Sequence, residues 1–375
     1  MAIGGYATEA GTDRYRRRHA ACHPDHFRRL ADLWVSSIGL GTYLGDPDDA
    51  TDQAYAQAIE TALARGCNVL DTAINYRCQR SERTIGRTLA RMFDRGAIAR
   101  DEVFLCTKGG YLPFDGAVPD DPGRYFAETF LNTGRVHYDE LVAGCHCLSP
   151  SYLEQQLSDS LRNLGVSTLD VYYLHNPEQQ LDAVPRDAVL ARLDAAFRLL
   201  ERKVQEGSLR WYGTATWNGY RANSRDAGFL KLQDLVEIAG RVGGASHHFR
   251  VIQLPYNLSM PEAFAFKNQP VNGEVLSTLE VAQRLGVSAI ISASLLQSRL
   301  TRLPEALRTL LPGLDTDAQR AIQFVRSTPG VTSALVGMKQ TAHVEANLEL
   351  ATRPALAAGD VGRLFTPHQF SRADG

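Results

Sequence analysis

One pattern narrows the fold more than any other: eight short apolar runs, each followed by a segment of helix size, spread without a break from about residue 35 to 350. The runs are Val35 to Tyr43, Val69-Leu70, Val103 to Thr107, Leu169 to Leu174, Leu209 to Gly213, Val251 to Leu254, Ala289 to Ile291 and Ser333 to Val336. Leu169 to Leu174 is nearly all apolar, the character of a parallel strand covered on both faces. Between the runs the apolar spacing is helical. Tyr55, Ala58, Ile59, Ala62 and Leu63 mark one face, ended by Gly66, and Val189, Leu193, Phe197, Leu200 and Val204 mark another, ended by Gly207. Further helices are predicted over Ser81 to Phe93 and Ser151 to Leu164. Eight such units predict an α/β chain, a (β/α)8 TIM barrel, with its active site at the C-terminal ends of the strands. A doubly wound open sheet is the runner-up, disfavoured because no G-x-G-x-x-G follows the first strand.

The division expected is a partly flexible extension over 1–33, a barrel over 34–352 with an insertion at 111–150, and a tail over 353–375. The insertion is far longer than an ordinary connection and is expected to act as a lid over substrate. The arginines of YRRRHAA are expected on a solvated arm.

Charge excludes some partners. Forty lysines and arginines stand against 42 acidic residues, so neither nucleic acid nor an anionic membrane is called for. No stretch approaches the roughly 18 uninterrupted apolar residues of a membrane span. Six scattered cysteines are too few for a disulfide scaffold, and residues 1–33 lack the continuous apolar core of a signal peptide, which makes the cytoplasm the expected location.

If the barrel forms, four polar residues at consecutive strand ends converge: Asp71 and Tyr76 after the second strand, Lys108 after the third, His175 after the fourth. An ammonium beside a phenol favours phenolate and brings its pKa nearer the working range. Asp71 would hold the lysine charged, and His175 would hydrogen-bond a substrate oxygen. The set suits protonation of a carbonyl oxygen as hydride reaches its carbon, and hydride requires a nicotinamide cofactor because no side chain supplies it.

The motifs VSSIGLGTY, DTAINY, SERTIGRTL, CTKGG, SLRNLGVSTLDVYYLH and PGVTSALVGMKQTAHVEANL resemble, in order and roughly in spacing, the aldo-keto reductase superfamily over about 35–350. The resemblance implies NADP(H), a small-molecule carbonyl substrate, and a catalytic tetrad of Asp71, Tyr76, Lys108 and His175 with Tyr76 as general acid. It further implies cofactor contacts at Gly41, Thr42, Tyr43, Asp71, Thr216, Gln253, Ser294 and Leu295. The adenosine end would lie near Gly337, Lys339, His343 and Asn347, with Arg299, Lys339 and His343 facing a 2'-phosphate. Three positions depart from the pattern: Ala215-Thr216 replaces a Ser-Asn or Ser-Arg pair, Ser292 an aromatic, and Ala346 a carboxylate. The GTATW context is closer to the potassium-channel β-subunit branch, so a regulatory or redox-sensing subunit with little turnover is the alternative. The Cys145-His146-Cys147 run, with His137, lacks the spacing of a structural zinc site, and no metal is expected. A barrel hydrolase using that cluster is the third reading. Oligomeric state is not legible.

Overall fold

The apolar runs need partners for their backbone groups, and they find them in one another. In the computed structural model, which describes residues 2–365, a hairpin of β1 (Phe27–Leu30) and β2 (Leu33–Ser36) precedes the barrel. The barrel strands are β3 (Ile38–Gly41), β4 (Val69–Asp71), β5 (Phe104–Gly109), β6 (Leu169–His175), β7 (Leu209–Ala215) and β8 (Phe249–Pro255). A second hairpin, β9 (Lys267–Val271) with β10 (Glu274–Ser277), is followed by β11 (Ser288–Ser292) and β12 (Val331–Gly337). Strands β3 to β8, β11 and β12 form a closed barrel of parallel neighbours, the TIM barrel expected. Closure leaves the barrel itself without a sheet edge.

Register fixes the rim. Gly41 pairs with Asp71 and with Gly337, Lys108 with Tyr173, His175 with Ala215, and Ala215 with Gln253. Helices cover the outside, among them Asp49–Ala64, Arg80–Asp94, Pro150–Leu164 and Arg186–Gln205, each presenting its apolar spacing to the strands. None of the described helices is long and apolar enough to cross a membrane.

Two expectations about the start of the chain are corrected. Val35 to Tyr43 is not one strand: it breaks between β2 and β3, where Ser36 Oγ donates to the Ile38 carbonyl and the Ser37 N–H to His26. Residues before it are no solvated arm. Leu30, Leu33 and Val35 share one buried cluster with Val69, Phe104, Val171 and Val251 of the barrel interior, so the hairpin closes the bottom of the barrel. A helix at Glu9–Arg18 packs beside it through Tyr15, which is fully buried and donates to the Leu63 carbonyl at 2.6 Å. Its arginines have partners. Arg14 pairs with Asp101 and Glu102, Arg18 with Glu102, and Arg16 with Asp13 while its guanidinium lies 4.3 Å over the Trp34 ring. Beneath the hairpin, Asp170 is fully buried and accepts from the Ala7 N–H, the Leu105 N–H and Arg100.

His26 is buried in the same floor, donating from Nε2 to the Gly66 carbonyl at 2.9 Å. Burial holds its imidazole down to about 3, from an ordinary 6.5. The unfolded chain therefore takes up a proton that the folded chain refuses. Stability is whole above the unfolded value and falls by about 1.4 kcal/mol per pH unit for this group as pH drops towards the folded one. The urea midpoint is expected to decline between pH 6.5 and 4, and His26→Asn to flatten that slope.

The insertion, expected as a lid, has a small folded core of its own. Its two ends pair, with an antiparallel bridge between Tyr111 and His146 and a bond from Leu112 N–H to the Cys145 carbonyl. Beyond that root, Leu112, Phe130, Val136 and Cys147 form a small core against Tyr152 of the helix Pro150–Leu164. Of the tail, 353–365 includes a short helix at Ala358–Arg363, and 366–375 lies outside the described residues.

Candidate active site

At the C-terminal rim a cleft of about 440 Å³ opens between Tyr43, Tyr76, Trp217 and the loop after β11. Gly41, Thr42, Tyr43, Asp71, Tyr76, His175, Thr216, Gln253, Ser294, Leu295 and Gly337 line it, as the sequence suggested. Lys108 does not reach the wall. It stands behind Tyr76, 1% exposed, with Nζ 2.5 Å from Asp71 Oδ1, 2.8 Å from the Thr72 carbonyl and 4.9 Å from the Tyr76 ring centre. Arg299, Lys339, His343 and Asn347 also lie outside the wall. Asn347 is buried and Arg299 and His343 are exposed, whereas Lys339 is half-buried near Gly45 on the rim.

The electrostatics follow from this packing. Burial pulls the Lys108 amine down, but the Asp71 carboxylate outweighs it and leaves the lysine above its ordinary value, charged. Burial lifts the Asp71 carboxyl, opposed by Lys108 and by Gln253, whose Nε2 donates to Asp71 Oδ2 at 2.8 Å. Gln253 is thus tied to the aspartate as well as facing the cleft. Burial also raises the Tyr76 phenol more than Lys108 lowers it. This corrects the expected drift towards phenolate: the phenol keeps its proton, the state a proton donor needs. His175 is pushed well below its ordinary value, first by burial and then by the Lys108 charge, so its ring is neutral near pH 7. The Tyr76 and His175 rings meet edge to face, 5.9 Å apart.

Tyr76 is held by strained backbone. Arg77, Cys78 and Gln79 directly after it have φ of 49°, 55° and 67°, a left-handed run costing about 1–2 kcal/mol per residue for side chains of this kind. Arg77 compensates by bonding Asp52 at 2.6 Å and the carbonyls of Asp46 and Asp48, and Gln79 donates to the Phe114 carbonyl. The Tyr76 turn is thereby clamped between the β3 loop and the insertion. The other strained loop follows β11, where Ala293, Leu296, Gln297 and Ser298 have φ from 45° to 70°. Strain of this kind gathers at ligand clamps.

Several wall residues were not anticipated: Asn75, Tyr111, Asn176, Trp217 and Ser298. Asn176 carried a signal, since asparagine tolerates the left-handed φ of 47° it adopts at the end of β6. Trp217 is 41% exposed at the rim, and the N–H groups of Trp217, Asn218 and Gly219 are gathered by the Glu178 carboxylate. Four buried polar atoms of the wall, Thr216 Oγ1, Ser294 Oγ, Asn75 Oδ1 and His175 Nδ1, have no hydrogen-bond partner among the described residues. Buried polar atoms are rarely left so unless a ligand or water meets them.

The Cys145-His146-Cys147 run is committed elsewhere. Both ring nitrogens of His146 are hydrogen-bonded, Cys147 packs in the insertion core, and among the described residues no three His, Cys, Asp or Glu side chains are grouped to hold a metal.

A closed parallel barrel whose rim unites a phenol, a buried ammonium-carboxylate pair and a neutral imidazole defines a class of barrel oxidoreductase. The aldo/keto reductase family profile matches residues 37–227, just over half of the chain, and the protein belongs to that family. It is 24% identical to Protein tas of Escherichia coli over 350 residues, covering 85% of this chain and 90% of that one. A 6-dehydroglucose reductase of Novosphingobium aromaticivorans is 26% identical over 202 residues, 52% of each chain. Among solved structures, an aldo/keto reductase from Klebsiella pneumoniae in complex with NADP and acetate superposes with a TM-score of 0.60 at 20% identity, covering 91% of this chain and 94% of that one.

Proposed function

We propose that the protein reduces an aldehyde or ketone to an alcohol by hydride transfer from NADPH, with Tyr76 as general acid. The observation that carries this reading is Lys108, buried behind the cleft wall between Asp71, 2.5 Å away, and the Tyr76 ring, which in turn meets His175 edge to face in the cleft. Tyr76 would give its phenolic proton to the substrate oxygen as negative charge develops there. Lys108 would then stabilise the phenolate by its charge, with Asp71 keeping that charge in place. A neutral imidazole offers one N–H, and His175 would use it to fix the angle of the carbonyl.

The residues present fit a nicotinamide dinucleotide. Thr216 Oγ1 and Ser294 Oγ are the unpartnered donors a bound group would satisfy, and left-handed backbone such as that after β11 is suited to anions. When bound, the cofactor supplies the hydride. The helix Thr341–Leu348 starts with Gln340, which makes no side-chain cap, so its first N–H groups are available to a phosphate beside Lys339. Two solved neighbours carry NADP or NADPH.

Lys339→Met is expected to weaken NADPH about tenfold to a hundredfold while leaving NADH unchanged, because one charge-assisted contact to a 2'-phosphate is worth about 1.5–3 kcal/mol. Cofactor fluorescence titration measures both. The reading as a whole is tested by NADPH consumption over a broad panel of aldehydes and ketones. Tight NADPH binding with no turnover on any carbonyl would favour the redox-sensing alternative raised by Ala215-Thr216.

A further inference from the structure

His146 comes from the root of the insertion, is fully buried, and ends 2.7 Å from the backbone carbonyl of His175. A carbonyl only accepts, so His146 Nε2 carries the proton and donates. Its Nδ1 must then accept, and it faces Gln180 Nε2 at 2.7 Å. The amide of Gln180 is itself oriented, because its Oε1 accepts from Arg192. The chain Arg192, Gln180, His146, His175 therefore runs in one direction, with each donor and acceptor assigned by the one before it. Burial holds His146 down to about 4, so the tautomer is that of a neutral ring.

The surroundings are built to keep this contact. Gly110, with φ of 139°, is strained for any side chain and leaves little space for one: a Cβ there would lie 3.0 Å from His146 Nε2 and 3.2 Å from the His175 carbonyl, so these two groups would have to give by a few tenths of an ångström. The Tyr111 ring stands edge-on to both imidazoles, 4.8 Å from His146 and 5.0 Å from His175. Its hydroxyl accepts from Asn176 and donates to Gln179, closing the far side. The ring of His175, by contrast, has an unpartnered Nδ1 and no hydrogen bond among the described residues to hold it. What holds its direction is the backbone at the end of β6 and the Tyr111 face.

We propose that His146 is a positioning residue: through the His175 carbonyl and Tyr111 it sets the direction of the His175 imidazole in the cleft, which couples the insertion to catalysis. The proposal rests on the reading of His175 as the group that orients the carbonyl.

Three variants test it: His146→Phe, His146→Gln, whose amide can still donate to the His175 carbonyl, and Gln180→Met, which frees the His146 ring with little change of shape. His146→Phe is expected to lower kcat about tenfold to a hundredfold, the scale of a misplaced catalytic group, with NADPH Kd within about twofold of the native value. His146→Gln should recover most of the loss, and Gln180→Met combined with His146→Phe should be no worse than His146→Phe alone. The 15N ring signals of His175, assigned with His175→Asn, should shift in His146→Phe. A folded His146→Phe with native kcat, or with unmoved His175 signals, would overturn the proposal. If the native protein turns over no carbonyl, the functional reading falls by itself, and the ring signals alone then decide the positioning role.

Discussion

Tyr76→Phe is expected to lower turnover of any competent carbonyl by about a hundredfold to ten-thousandfold, the usual contribution of a positioned general acid. NADPH affinity should be nearly unchanged. The substitution deletes one hydroxyl and leaves the ring to fill its place between Tyr43, 5.0 Å away, and His175. The Lys108–Asp71 pair keeps its 2.5 Å contact and its bond to the Thr72 carbonyl, so no buried charge is stranded. Lys108→Met is the harsher change because it does strand one: Asp71 would be left buried with only Gln253. The two variants separate catalysis from folding, since Tyr76→Phe should retain the native melting temperature and Lys108→Met should not.

The second large effect is at the opposite end of the barrel. Asp170→Ala is expected to destabilise the fold by about 3–5 kcal/mol, the scale for breaking a buried ion pair by removing one partner. Asp170 binds Arg100 at 2.8 Å, and Arg100 is 6% exposed. The same carboxylate ties down the N–H groups of Ala7 and Leu105, so the hairpin floor and β5 lose their anchor together. Urea unfolding measures the loss. Arg100→Met should cost a similar amount, and the double variant much less than both singles added, because the second substitution removes the stranded partner.

The contrast between these ends explains what the sequence could and could not convey. The barrel was legible because parallel strands buried on both faces read as unbroken apolar runs, and Leu169 to Leu174 shows it most clearly. The rim residues were legible because strand ends are where a barrel gathers polar groups, and the ordered motifs supplied the rest. The floor was not. Arg18 of YRRRHAA looks like part of a solvated arm when its partner, Glu102, lies far away in sequence, and the same distance hides the partners of Arg14 and Arg28, namely Asp101 and the carbonyls of Arg326 and Val331. The left-handed run of Arg77, Cys78 and Gln79 has no signature either, since none of the three is the glycine or asparagine that usually marks such backbone. One signal was present and unread: Asn272-Gly273, with φ of 47° and 84°, is the turn of the β9–β10 hairpin, and Asn-Gly between two strands is a strong local hairpin signal. The spacing around His146 speaks against a metal ligand, and its role in a hydrogen-bond chain was not legible because Gln180 and the His175 carbonyl lie about thirty residues away in sequence.

In the proposed mechanism Tyr76, Lys108, Asp71 and His175 form one device for protonating a carbonyl as hydride arrives. The most direct measurement supplies NADPH deuterated at the transferable position of C4 together with a carbonyl panel, and follows the alcohols by mass spectrometry. The expected result is alcohol carrying one deuterium on the former carbonyl carbon with the native protein, and almost none with Tyr76→Phe at equal cofactor occupancy. Alcohol formed at the native rate by Tyr76→Phe, or alcohol without deuterium from the native protein, would contradict it.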